Sequence, residues 1–154
     1  MTPRIQVQAE NFDLNAELAR LQADVGTGAV VNFIGQVRQS GDRDDIVALE
    51  LEHYPGMTER CLHDLAMAAH QRWPLTGVTV LHRIGRLALG APIVLVVTAS
   101  AHRQHAFAAC EHIMDFLKTD APFWKKEINR AGEAQWVAAK ASDQAATERW
   151  QSPA

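Results

Sequence analysis

Lys118 is followed seven residues later by Lys125 and Lys126, and these are three of the four lysines in the chain. Between them lies Asp120-Ala-Pro-Phe-Trp124, a stiff turn carrying two large aromatics. Pro122 fixes its own φ and biases Ala121 toward extended geometry, so the turn is partly preorganised. Such a turn is suited to bring Lys118 and Lys125 together across a cleft. Two ammonium groups held close and partly desolvated lower each other's pKa and give a nucleophile or proton-transfer group near neutrality. The plainer reading is a solvated basic helix end, favoured by the C-terminal dipole. The aromatic turn argues against it.

A second cationic feature is Thr98-Ala-Ser-Ala-His102-Arg103, at a strand-to-helix junction. The first helical turn points unpaired N–H groups outward and carries partial positive charge, so His102 and Arg103 there suit an anion such as a phosphate. The alternative is a solvated first turn. Gly35-Gln36-Val37-Arg38 follows a β-rich run, which places Arg38 at a strand end where its guanidinium can take a phosphate or carboxylate oxygen. His102, His105 and His112 share a helix but lack a carboxylate at ligand spacing, so no metal site is expected. His53 reads as a packed histidine. Cys61 and Cys110 form no Cys-x-x-Cys pair and read as two small buried hydrophobes.

The elements that position these residues follow from periodicity. Ile5–Ala9 alternates as a first strand, and Asn11 or Asp13 caps a helix with Leu14, Leu18, Leu21 and Val25 at helical spacing. Strands are expected at 29–34, 46–53, 78–84 and 93–98, with a polar loop over 36–45. A helix capped by Thr58 carries the stripe Leu62, Leu65, Ala66, Ala69 and Trp73, and Pro74 stops it. Gly85–Gly90 reads as a short excursion. Ser100 is the expected cap of a long helix with Ala106, Phe107, Cys110, Ile113, Met114 and Leu117 facing inward. A strand near Trp136-Val137 and a helix capped by Ser142 or Asp143 end the chain. Two helices on a mainly antiparallel sheet make an α+β fold, with room for one parallel pairing. At 154 residues one domain spanning 1–154 is expected.

Composition sets outer limits. Hydrophobic residues make up 47% and charged residues 21%, ordinary for a soluble globular protein. A net charge of -3 argues against a general nucleic-acid binder. No apolar run approaches a membrane span, and the N-terminus lacks a signal-peptide core, so a cytoplasmic location is expected.

Several of these segments recur together in one family. Gly35-x-Val-Arg38, Leu51-Glu-His-Tyr-Pro-Gly-Met57, His82-Arg-Ile-Gly85, Ser100-Ala-His-Arg103, Lys118-Thr-x-Ala-Pro-Phe-Trp-Lys125-Lys-Glu127, Trp136-Val and Ser142-Asp-Gln144 stand in order over nearly the whole chain. In this the sequence resembles the large, catalytic subunit of molybdopterin synthase, and Ala-Pro-Phe-Trp-Lys is its most specific element. The resemblance implies an α/β hammerhead-like domain, with a mainly antiparallel sheet and an additional small antiparallel sheet. It implies a sulfurtransferase that converts cyclic pyranopterin monophosphate into molybdopterin by adding the two dithiolene sulfurs. The sulfur would arrive as a thiocarboxylate on the Gly-Gly terminus of a small ubiquitin-like subunit, with the large subunit dimerising inside a heterotetramer. No cofactor or metal is implied for this chain.

Carried over by position, Lys118 acts at the sulfur-transfer step and Lys125 assists as acid, base or charge stabiliser. The resemblance implies that Lys126 and Glu127 line the substrate site, that Arg38, His102 and Arg103 bind substrate, chiefly its phosphate, and that Gln36 and Val37 also contact substrate. Two positions depart from the family pattern. Gln36 stands where some members carry lysine, and Lys140 where arginine is common, a position for which the resemblance implies a role at a neighbouring protomer's site. Two other readings use the same residues: a lysine Schiff-base lyase acting on a phosphorylated substrate, and a non-catalytic module that binds a ubiquitin-like partner.

Overall fold

The computed structural model describes residues 1–39, 43–138 and 141–151. In chain order the elements are β1 (Arg4–Gln8), α1 (Leu14–Gln22), β2 (Ala29–Gln36), β3 (Ile46–His53), α2 (Met57–Arg72), β4 (Leu75–Arg83), β5 (Gly85–Ala88), β6 (Pro92–Ser100), α3 (Arg103–Asp120), β7 (Phe123–Asn129), β8 (Ala134–Trp136) and α4 (Ala141–Glu148), then a 3₁₀ turn at Arg149–Gln151. They build two four-stranded sheets, ordered β1-β4-β6-β2 and β5-β3-β7-β8. The expected α+β class holds, and among the described residues the one parallel pair is β1 with β4.

The first sheet is covered on both faces, which explains the unbroken apolar run Ile93–Val97. Val78, Val80, Val94 and Val96 pack against α2 and α3 through Leu62, Ala66, Ala69, Ile113 and Leu117. On the opposite face Leu81, Leu95 and Val97 meet Leu14, Leu18 and Leu21 of α1. Three helices therefore cover this sheet, where periodicity had suggested two. Leu21 packs so close to β4 that a Cβ on Gly77 would lie 2.4 Å from its Cδ2.

Local signals set several boundaries. Asp13 caps α1 by accepting from Ala16 N–H at 3.1 Å. Val25 falls outside that helix, in a turn where Asp24 accepts from Gly26 N–H, and is fully exposed. Ser100 is not the cap of α3. It ends β6, donates to the Pro74 carbonyl, and leaves His102 as the N-cap residue. Thr58 likewise lies inside α2, whose N-cap is Gly56 at φ 85°. Ser142 and Asp143 sit within the first turn of α4.

Phe107 is 61% exposed rather than inward-facing. At 100° per residue it stands at the edge of the stripe formed by Ala106, Cys110, Ile113 and Leu117, beyond the reach of the sheet. The second sheet holds two strands read otherwise in the sequence. Gly85–Ala88 pairs with β3 instead of making an excursion, and the aromatic turn passes at once into β7. Gln36 belongs to β2 rather than to the loop.

Candidate active site

One cleft lies where the two sheets meet the C-terminal end of α3. The first sheet supplies Phe33, Gly35 and Gln36 from β2, His82 from β4, and Ile93 and Val94 from β6. From the second come Leu49 and Leu51 of β3 and Phe123 and Lys125 of β7, while α3 and its exit give Leu117, Lys118 and Ala121. Ala138 and Asp143 complete the rim. Lys118 and Lys125 thus share one largely apolar cavity, as their spacing suggested. Gly35 keeps it open, because a Cβ there would come within 2.9 Å of Val94 Cγ1.

The turn between the lysines is held from outside. Phe123 N–H donates to the Ala121 carbonyl at 2.8 Å, and Thr58 Oγ1 donates to the Pro122 carbonyl at 3.1 Å. Beyond it, strand alternation separates the paired lysines. Lys125 faces the cleft opposite Leu51, with its carbonyl accepting from Val137 N–H at 2.9 Å. Lys126 points to the other face, 3.6 Å from Glu52 and with its Nζ 4.4 Å from the Trp136 ring centroid. Glu127 returns to the Lys125 side of the strand, opposite Leu49.

His82 is 4% exposed, with Nδ1 2.8 Å from the Arg83 carbonyl and its ring stacked on Phe123 at a centroid distance of 3.7 Å. Burial, and secondarily the charges of Lys118, His53 and Lys125, push its pKa down to about 4, so the ring is neutral at physiological pH. Neither cysteine lines the cleft. Burial raises the Cys110 thiol to about 11 and lifts the Cys61 thiol as well, which suits inert side chains. Cys110 is buried as expected, whereas Cys61 is half-buried.

A family model described as "MoaE protein" matches residues 7–120. The molybdopterin synthase catalytic subunit of Pseudomonas aeruginosa is 55% identical over 148 residues, covering 96% of this chain and 98% of that protein. This chain belongs to the MoaE family. The Vibrio cholerae molybdopterin synthase catalytic subunit is 49% identical, covering 98% of this chain and all of its own. Among solved structures, the molybdopterin cofactor biosynthesis protein E of Burkholderia multivorans superposes with a TM-score of 0.83 at 48% identity, covering 100% of both chains. A molybdopterin synthase structure from Staphylococcus aureus gives 0.80 at 30% identity, covering 87% of this chain and 96% of that one.

Within this MoaE-family chain the remaining expected site residues are dispersed. His102 and Arg103 are exposed at the N-terminal end of α3. At 1.5 Å per residue, the fifteen positions from Arg103 to Lys118 span roughly 22 Å, so one chain does not bring these groups together. Arg38 is exposed just past β2, its Nη1 donating to the Gln39 carbonyl at 3.1 Å. Gln36 lines the cleft and donates to the Gly90 carbonyl at 3.3 Å, while Val37 is buried and offers only its backbone, already bonded to Ala91 and Gly90. Lys140 lies outside the described residues. His53 is packed, with Nε2 3.4 Å from Glu59 Oε1. Sequence reasoning placed neither His82 nor Asp143 in the site, and read Asp143 only as a candidate helix cap, although both fall in segments shared with the family.

Proposed function

We propose that this chain is the catalytic subunit of a molybdopterin synthase. It moves two sulfurs from the thiocarboxylated Gly-Gly terminus of a small ubiquitin-like subunit to cyclic pyranopterin monophosphate (precursor Z), forming the dithiolene. The observation that carries this reading is the convergence of Lys118 and Lys125, from separate elements, on one apolar-walled cleft. Attack of a thiocarboxylate on the pterin side chain develops anionic intermediates, and opening the cyclic phosphate leaves further negative charge. Ammonium groups set against apolar walls stabilise that charge more than they would in bulk water.

Lys118 acts at the partner's terminal carbonyl, and Lys125 assists as acid, base or charge stabiliser. Gln36 contributes at the same cleft, Val37 supports it by tying the end of β2 to Gly90 and Ala91, and Glu127 acts from the Lys125 side of β7. Lys126, turned toward Glu52, supports the strand and adds positive potential. His102 and Arg103 stand too far from Lys118 to hold the same small substrate within one chain. In a homodimer inside a heterotetramer, these two residues, with Arg38 and Lys140, hold the phosphate at a site shared between copies. The reaction takes place in the cytoplasm.

Sulfur transfer with purified chain, cyclic pyranopterin monophosphate and thiocarboxylated small subunit tests this reading. Dithiolene formation is expected, with a loss of at least roughly a hundredfold in Lys118→Ala, the order seen when one stabilising group is removed from a charge-developing site. No product, with the partner shown to bind, would overturn catalysis in favour of a binding module. Borohydride trapping of substrate on Lys118 would overturn it in favour of a Schiff-base lyase.

A further inference from the structure

The start of α3 is built differently from that of α1. Asp13 caps α1 with its side chain, whereas His102 makes no side-chain cap and no acidic residue stands in the first turn of α3. The backbone just ahead of the helix sets its direction instead. Ser100 is fully buried at the end of β6, opposite Ala29 of β2 in one ladder and Leu75 of β4 in the other. Its carbonyl accepts from Gly28 N–H at 3.0 Å, and its hydroxyl donates to the Pro74 carbonyl at 2.8 Å.

Gly28 acts through what it lacks. A Cβ there would stand 2.3 Å from the Ala101 carbonyl oxygen and 3.3 Å from the carbonyl carbon, both backbone atoms with no rotamer to turn away. Its φ is not in the left-handed region, so close contact rather than conformation demands glycine. With a Cβ present, the Ala101 peptide would have to retreat by about 1 Å to reach ordinary van der Waals separation. His102 and Arg103 come next in the chain and would move with it. We propose that Gly28 is a positioning residue for this pair: by letting the Ala101 carbonyl lie against the entry to β2, it fixes where the first turn of α3, His102 and Arg103 meet the substrate phosphate. Gly28 acts through the Ser100-Ala101 backbone and needs no contact with substrate. Donors to a phosphate are directional, so a shift of that size at their root weakens the grip. This inference rests on the reading in which His102 and Arg103 hold the phosphate.

Gly28→Ala, Arg103→Ala and the double variant test it by sulfur transfer. Gly26→Ala is the control, since a Cβ there would meet only side-chain atoms, the nearest being Asp24 Oδ1 at 3.2 Å. With folding checked by circular dichroism, Gly28→Ala should raise the half-saturating concentration of cyclic pyranopterin monophosphate at least roughly tenfold, the order of one hydrogen bond to a charged group. The saturating rate should stay within about twofold, because Lys118 and its cleft lie at the other end of α3. Inorganic phosphate, used as a competing anion, should lose potency by a similar factor, and Gly26→Ala should match wild type. If Gly28 works through the pair, the double variant should be little worse than Arg103→Ala alone. Ser100→Ala releases the same backbone from Pro74 without adding an atom, so it should shift half-saturation in the same direction even if Gly28→Ala does not fold.

An unchanged half-saturating concentration in folded Gly28→Ala, losses that add in the double variant, or a fall confined to the saturating rate would each overturn the inference. So would an unchanged Ser100→Ala where Gly28→Ala fails to fold. Absence of product from the wild-type chain would instead refute the sulfur-transfer reading. Normal turnover with half-saturation unmoved in Arg103→Ala would refute the phosphate role of that residue, and the inference with it.

Discussion

Thr58→Val should loosen both the fold and the reactive cleft. Thr58 has no exposed surface, and its hydroxyl joins two elements, accepting from Tyr54 N–H at 3.0 Å and donating to the Pro122 carbonyl at 3.1 Å. Valine fills the same volume but leaves both backbone groups without that partner. Each lost bond costs about 1 kcal/mol, and more where water cannot reach the orphaned group, so the sum is about 2–3 kcal/mol. For a chain of this length that lowers the melting temperature by about 4–12 °C. The effect on function follows from the Pro122 bond, which ties the turn between Lys118 and Lys125 to α2. Once it is released, the lysines hold their relative placement less tightly and sulfur transfer slows. Thr58→Ser keeps the hydroxyl, so it should retain most of the transfer rate despite losing a buried methyl. Calorimetric melts and single-turnover transfer would be compared across the three proteins. A Thr58→Val chain that melts within roughly one degree of wild type and turns over at the same rate would refute the reasoning.

Gly35→Ala places a Cβ 2.9 Å from Val94 Cγ1 and 3.4 Å from Phe33 Cε1, so the cleft must widen or distort. A loss of about 1–3 kcal/mol in urea unfolding and a raised half-saturating substrate concentration are expected. Trp150→Ala removes an indole that donates to Asp115 Oδ2 at 2.6 Å and packs edge-on against Trp73 and His112. About 2 kcal/mol of stability should go, with faster limited proteolysis near the C-terminus, because that indole docks the segment carrying α4. His82 and His112 are both depressed from 6.5 to about 4, chiefly by burial, so the unfolded chain binds protons that the folded chain refuses. Stability is therefore full above about pH 6.5 and falls as pH drops toward 4, by up to about 1.4 kcal/mol per pH unit for each histidine. Urea midpoints at pH 7.5 and 5 check the sign, and His112→Phe should flatten the slope.

Legibility in the sequence tracked how local the determining physics is. Asp13 capping α1, the stripe from Leu62 to Ala69, and the doubly buried run of β6 depend on neighbours a few positions away, and each was readable. β5 was not, because Gly85-Arg-Leu-Ala88 is too short to show a period and becomes a strand only by pairing with β3. The cleft was half legible. Lys118 and Lys125 are close in sequence, and a stiff turn limits where they can go. That Lys125 and Lys126 face opposite sides required knowing that β7 starts at Phe123, a fact set by the ladder with Glu52 and His53. His102 and Arg103 looked like part of the same site because the family groups them, whereas helix length alone keeps them from Lys118 in one chain. His82 carried no signal of its own, since a histidine in a buried strand reads as packing until its ring contacts are seen.

The ladder around β7 makes the site tolerant of changed letters but intolerant of changed spacing. Lys125 and Lys126 are chemically identical, and only the parity of their distance from Phe123 decides which one meets the cleft. Deleting a single residue between Phe123 and Lys125 would leave composition, charge and hydropathy almost untouched. Yet it would bring Lys126 to the cavity face, stripped of Glu52 and Trp136, and send the following residues to the wrong sides.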